Sequence, residues 1–221
     1  MKSEILFHLG PLSIYMAVVV TWGIMLGLAI FFSLATRRLS IEPGPLQTLL
    51  EGAVSAILDA IEAVLPEKQH MLLPFIGSLW IFILISNLAG IIPGLSAPTA
   101  NLSVTSALAI LVFLSVHWFG IRSEGWRNYL KHYSRPSPIL LPFHLISEVS
   151  RTVALAVRLF GNIMSLEMAA LLVLLVGGLL VPIPLLMLHI VEALVQAYIF
   201  GMLALIYVSG AIESQQRKRN E

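Results

Sequence analysis

No cysteine occurs in the 221 residues. Disulfides, iron–sulfur clusters and thiolate zinc sites are thereby excluded. Charge is almost as scarce: Asp, Glu, Lys and Arg make up 11% of the chain, against about a quarter in soluble domains. The formal net charge of +1 offers no basic surface for nucleic acid. The H-E-x-x-H, G-x-S-x-G and phosphate-loop patterns are also missing, so neither a hydrolytic centre nor an ATP site is expected. No internal repeat or low-complexity tract is present. A stand-alone secondary ion transporter, the alternative reading for a chain of this kind, would usually carry inverted repeats or paired broken helices.

Apolar residues fill the space that charge leaves, at 58% of the chain. They fall in runs long enough for a bilayer, which predicts an all-α membrane protein with about five membrane-embedded helices and one amphipathic surface helix. Residues 1–38 hold the first span, about Leu12–Thr36. Its apolar run is too long for the core of a signal peptide and lacks a small-residue cleavage site, so an uncleaved span is expected. Residues 42–66 read differently. Gln47, Glu51, Ser55, Asp59 and Glu62 recur at steps of three or four, opposite Leu49, Leu50, Val54, Ile57, Leu58, Ile61 and Leu65. That spacing predicts a helix lying on the bilayer surface or against a partner. Residues 72–121 form a helical hairpin of two spans around the uncharged turn Ser96–Asn101. Residues 139–212 form a pair of long helices, with Val181-Pro182-Ile183-Pro184 as the joining turn. All of this reads as a single polytopic membrane domain, residues 1–221.

Basic residues set the expected orientation. Arg37, Arg38, Lys68, Arg122, Arg127, Lys131, Arg135, Arg217, Lys218 and Arg219 share one side if the spans alternate, whereas the other side has only Lys2. The basic side is cytoplasmic by the positive-inside rule, which puts the amino terminus outside and the carboxyl terminus inside.

The apolar stretch from Ile139 to Val181 has no proline between Pro142 and Pro182. As one helix it would reach roughly 65 Å, about twice the hydrocarbon thickness, so it must tilt strongly or leave the bilayer at its ends. Arg158 lies in its interior. A guanidinium near mid-membrane costs at least ~2.5–3.5 kcal/mol, and the reading that accounts for that cost is ion handling. On a helical wheel, His144, Ser147, Glu148, Arg151, Arg158, Asn162 and Ser165 fall within an arc of about 100°. Glu167 and Thr152 lie off that stripe. On the last helix His189, Glu192 and Gln196 share an arc of about 60°, which Tyr207 extends. Glu167 and His189 flank the outer turn, and Glu148 sits nearer the cytoplasmic end. Carboxylates and imidazoles take up and release protons, whereas arginine does not. The pattern is two proton-capable regions at different depths with a fixed cation between them. For Arg151, pairing with Glu148 one turn away stands beside a role in the ion path. For Glu167 and His189 the alternative is a helix–helix hydrogen bond. His117 reads as an interfacial residue.

The run Arg158-Leu159-Phe160-Gly161-Asn162, with Glu167, His189 and Gln196-Ala197-Tyr198-Ile199-Phe200, resembles the a subunit of F-type ATP synthases. Ser86–Gly94 and Pro98–Leu102 are similar to earlier segments of that family. The resemblance implies a non-catalytic stator subunit whose two long tilted helices face a rotating ring of c subunits, with b-type peripheral stalk subunits and the lipid bilayer as its other partners. It implies two offset half-channels for H⁺ or Na⁺ and no cofactor, in the bacterial cytoplasmic (inner) membrane. Arg158 matches the arginine that meets the ring carboxylate, and Asn162 and Gln196 match its polar neighbours. Glu167 and His189 match the outer access and Glu148 the cytoplasmic one. Arg151-Thr152 stands where many members have Lys-Pro, and Glu192 is an additional acid beside the His189 position. These departures resemble an alternative, N-type bacterial branch linked to sodium. His144, Ser165, Arg151 and Tyr207 complete the set of candidates.

Overall fold

The computed structural model describes residues 5–9, 12–38, 40, 44–92, 95–125, 141–177 and 182–216. Helix dominates it. Five of its helices are long and apolar enough to cross a membrane: Met16–Ala35, Gln69–Ile91, Leu102–Ser123, Pro142–Val176 and Pro184–Ile212. The all-helical membrane architecture expected from the sequence is therefore present, with one addition. Ile5–Leu9 (β1) and Leu12–Tyr15 (β2) pair antiparallel, with Leu9 opposite Leu12 and Ile5 opposite Tyr15. The first helix, α1 (Met16–Ala35), accordingly starts four residues later than its hydropathy suggests. A short apolar run cannot be assigned to helix or strand from periodicity alone, and this one splits between both.

Proline and glycine mark the other boundaries. The surface helix α2 (Pro45–Val64) opens with Pro45 in its first turn, where the missing N–H would have no helical partner anyway. α3 (Gln69–Leu88) continues into a 3-10 turn at Ala89–Ile91. A second 3-10 turn, Pro98–Ala100, leads to α4 (Leu102–Glu124), which is capped by the Asn101 side chain accepting from the Ser103 N–H at 2.9 Å. Gly125, with φ 83°, ends α4, and its N–H bonds the Ile121 carbonyl at 2.7 Å. α5 (Leu141–Gly177) has 37 residues and α6 (Pro182–Gln216) has 35, so each is over 50 Å long by rise alone. The expected turn at residues 181–184 does not reach as far as read: Pro182 and Pro184 already belong to the first turn of α6. Residues 139, 140 and 178–181, at the ends of the expected long helix, lie outside the described residues.

α3, α4, α5 and α6 form the packed bundle, with α2 against α3 and α6. Its centre holds Ile76, Leu79, Trp80 and Ile83 of α3 with Val112 and Val116 of α4. Leu155, Leu159 and Ile163 of α5 and Phe200, Leu205 and Val208 of α6 complete it. α2 adds Ile57 and Ile61 while leaving Leu46, Leu49 and Val54 exposed. Its amphipathic face is thus divided between the bundle and the surroundings. α1 buries nothing.

Small residues set the closeness of α3 and α6. Trp80 stacks on Tyr198 with ring centroids 5.5 Å apart. A Cβ on Gly201 would stand 2.8 Å from the indole Nε1 and 2.9 Å from Cδ1 and Cε2. A rigid bicyclic ring cannot yield as a flexible chain end would. Gly201→Ala is therefore expected to destabilise the bundle by about 1–3 kcal/mol, measured as a lower thermal midpoint of the detergent-solubilised protein. An unchanged midpoint would mean that the indole moves freely.

Candidate functional site

The polar residues collect at three levels along α5 and α6. One group lies where α3 ends and α4 begins. There Glu167 Oε1 accepts the Ala97 N–H at 2.8 Å. His189, buried on α6, places Nε2 3.0 Å from the Asn87 carbonyl. A carbonyl can only accept, so that nitrogen carries the hydrogen. The Asn87 side chain is engaged at both ends. It donates through Nδ2 to the Ala193 carbonyl at 3.4 Å and accepts the Thr99 hydroxyl at Oδ1 at 2.7 Å. Asn87 and Thr99 are fully buried. A Cβ at Gly90 would lie 3.2 Å from Glu167 Oε1 and 3.4 Å from His189 Cε1, so both candidates border one small space. Glu167 stands off the polar stripe of α5 because it turns towards the 95–100 segment instead of the outer face of the bundle.

Asn87, Gly90 and Thr99, which lie within the segments that resemble the family, join this group although their residue types alone assign them no role. An asparagine within an apolar run must find partners, and that was the available signal.

The middle level holds Arg158. It is exposed on α5, on the helix face it shares with the exposed Ala154, Asn162 and Ser165. It is near the midpoint of the Pro142–Val176 span. One turn further along, Asn162 Nδ2 donates to Gln196 Oε1 at 2.9 Å and ties α5 to α6. Gln196 is 2% exposed, and its Nε2 has no hydrogen-bond partner among the described residues. That donor is unspent, which a buried amide seldom tolerates without purpose. Glu192, half-buried, is one turn of α6 from Gln196 on the side of the outer group. Ser165 is exposed and donates its hydroxyl back to the Gly161 carbonyl at 2.6 Å.

The third level lies towards the start of α5. Glu148 Oε2 faces His117 Nε2 of α4 at 3.5 Å. His117 Nδ1 is 2.9 Å from the Phe113 carbonyl. His117, read from the sequence as interfacial, thus reaches from α4 across to α5. Arg151 lies over the Tyr207 ring of α6, 5.5 Å from its centroid, a cation–π contact across helices. His144 is exposed.

Glu167 with His189, Asn162 with Gln196, and Arg151 with Tyr207 are therefore brought together. Arg158, Glu192, His144 and Ser165 line the same helix pair without joining those contacts. The groups are spaced along α5: ten residues, about 15 Å of rise, separate Glu148 from Arg158, and nine separate Arg158 from Glu167. No cluster of three or more metal-ligating side chains occurs among the described residues.

Residues 17–209 match the family model described as ATP synthase A chain. The chain is 62% identical over 218 residues to ATP synthase subunit a 2 of Pelobacter propionicus, covering 99% of this chain and 96% of that one. It is 60% identical over 213 residues to ATP synthase subunit a of Legionella pneumophila, with 96% and 93% covered. To ATP synthase subunit a 2 of a Bradyrhizobium species it is 47% identical over 214 residues. These matches extend almost from end to end and are far too close for chance. With its five apolar spans, the chain belongs to the a subunits of F-type ATP synthases, non-catalytic, ion-transporting membrane components of that complex.

Proposed function

We propose that the outer face of α5 and α6 is the stator side of a rotary ion path, and that the groups above and below Arg158 are two offset half-channels. The observation that carries this reading is Arg158 itself, a cation at mid-span, exposed on the polar stripe of α5. Lipid alone is a poor neighbour for it, because no headgroup lies within easy reach and each intramembrane charge needs a counter-ion. A carboxylate on a moving c-ring fits. The unspent Gln196 Nε2 nearby is a second donor for the same oxygen atoms.

In this mechanism an ion, H⁺ or Na⁺, enters from outside by Glu167 and His189 and passes Glu192 to a ring carboxylate. The neutralised site leaves into lipid as the ring turns. After nearly a full revolution the site gives its ion to the cytoplasmic side near Glu148, and the bare carboxylate meets Arg158. Arg158 thereby stops ions from crossing directly between the half-channels. A membrane potential supplies ~2.3 kcal/mol per charge per 100 mV, so several ions must pass for each costly synthesis step. The orientation is amino terminus outside and carboxyl terminus in the cytoplasm, in the bacterial inner membrane. The exposed apolar residues of α2, Leu46 and Leu49, supply a place for b-type stalk subunits at the cytoplasmic surface.

The chain has no cysteine, so single cysteines can be introduced and labelled cleanly. Ala154→Cys, exposed one turn before Arg158 on the same face, carrying a thiol-linked photo-crosslinker in the assembled complex, should join this chain to a c subunit. Trp22→Cys on α1, at an exposed position away from the bundle face, should not. Crosslinking from α1 but not from α5 would refute the assigned ring face.

A further inference from the structure

We propose that His117 and Glu148 act as one proton-holding unit in the cytoplasmic half-channel, which makes His117 a proton-transfer residue of the ion path and H⁺ the coupling ion. The proposal rests on the half-channel reading above and adds a residue and a chemistry to it.

The geometry is specific. His117 Nδ1 lies 2.9 Å from the Phe113 carbonyl, one helical turn earlier on α4. Only an N–H can make that contact, so Nδ1 is the protonated nitrogen. In a neutral imidazole Nε2 then presents a lone pair. Facing it at 3.5 Å is Glu148 Oε2, whose own surface is fully covered. A lone pair and a carboxylate oxygen repel at that distance unless a proton lies between them. Three charged or titratable groups on α5 and α6, the helices packed against α4, face the pair's end of the bundle. They are His144 and Arg151 on α5 and Tyr207 on α6. Arg151 is three residues from Glu148 and is held over the Tyr207 ring. Lys68 is taken up by the Ser123 hydroxyl at 2.6 Å, and Arg122 is exposed.

The proton balance is simple. Loaded, the pair holds imidazolium and carboxylate, or imidazole and carboxylic acid, and is neutral in sum. Unloaded, it is imidazole and carboxylate with one negative charge. In synthesis the ring carboxylic acid gives its proton to the unloaded pair, and the pair releases it to cytoplasmic water. In ATP-driven pumping the order reverses. A sodium ion could not take this place, because Nδ1 is committed as a donor and imidazole is a poor ligand for a hard cation.

The test uses the whole complex in inverted membrane vesicles, with ATP-driven acidification followed by a pH-sensitive dye. His117→Gln should slow pumping by about tenfold at alkaline bath pH, where capture from the cytoplasmic side is hardest, and much less at acid pH. Glu148→Gln should act alike. The exchange His117→Glu with Glu148→His should recover most of the rate and the native pH profile; the pH dependence of the single variants is the readout that a purely structural pair would not move. Unchanged rates and pH profile in both single variants, with Arg158→Gln inactive, would overturn this inference and leave the half-channel reading standing. Retained coupling in Arg158→Gln would instead sink the half-channel reading. ATP-driven uptake of sodium in place of protons, or failed assembly of both near-isosteric single variants, would also overturn the pair as a proton unit.

Discussion

Arg158→Gln should eliminate coupled ATP synthesis while leaving the complex assembled. The side chain lies outside the bundle core: it is exposed on α5 on the face of Ala154 and Asn162, so its loss opens no cavity. What is lost is the counter-charge for a ring carboxylate stripped of its ion. Leaving such a carboxylate buried and unpaired costs about 3–5 kcal/mol, which corresponds to a fall of at least about two orders of magnitude in turnover. The ring site would then avoid deprotonation at the stator, and ions could slip between half-channels without rotation. ATP hydrolysis by the catalytic sector should persist, but without pumping. Arg158→Lys tests whether charge alone suffices. An ammonium is a compact point charge on a flexible stem, whereas guanidinium offers a planar fork of donors. Lysine is therefore expected to restore only a small part of the rate. ATP synthesis in energised vesicles measures both variants, and normal synthesis in Arg158→Gln would remove the central assignment.

The sequence made some of this legible because charges in apolar helices are rare enough to stand out. Arg158, Glu167, His189 and Gln196 could be singled out by residue type and helical spacing alone. Their order along the bundle followed from counting spans. Asn162 and Gln196 are grouped only by the family resemblance, and their hydrogen bond is not legible from the helical wheels, since a wheel gives direction and not distance. The contact of His117 with Glu148 is hidden from the sequence for a clear reason. Seven residues from the end of α4, His117 sits at a depth where interfacial histidines are common, and nothing local predicts that α5 brings Glu148 opposite it. The Tyr207 ring over which Arg151 lies is across the helix interface, a partner that the three-residue spacing of Arg151 and Glu148 does not reveal. The hairpin at residues 5–15 was hidden because its apolar residues merge with those of α1. In each case the missing information was a contact between segments far apart in the chain.

The space bounded by Glu167 and His189 yields the other large effect, through a residue with no side chain. Gly90 lies in the 3-10 turn Ala89–Ile91, and among the described residues only Gly125 has a positive φ. Its backbone therefore does not demand glycine; the surroundings do. A Cβ there would meet Ala97 Cβ at 3.0 Å, Glu167 Oε1 at 3.2 Å and His189 Cε1 at 3.4 Å. Gly90→Ala asks each neighbour to retreat by a few tenths of an ångström, and a reduction of a few-fold in synthesis is expected. Gly90→Val adds two methyl groups about 1.5 Å further out. They must displace the carboxylate, the imidazole or the Ala97 segment whose N–H holds Glu167. Overpacking of that kind costs about 1–3 kcal/mol, and it falls on the entry path of the ion. Synthesis should drop by at least about tenfold, since every 1.4 kcal/mol is a factor of ten. ATP hydrolysis by the detached catalytic sector should be unaffected, which separates a blocked entrance from a damaged enzyme. The alanine variant should fall between the native chain and the valine variant. Equal, native rates for all three would mean that ions do not pass between Glu167 and His189, and the outer half-channel would have to be sought elsewhere on the α5–α6 face.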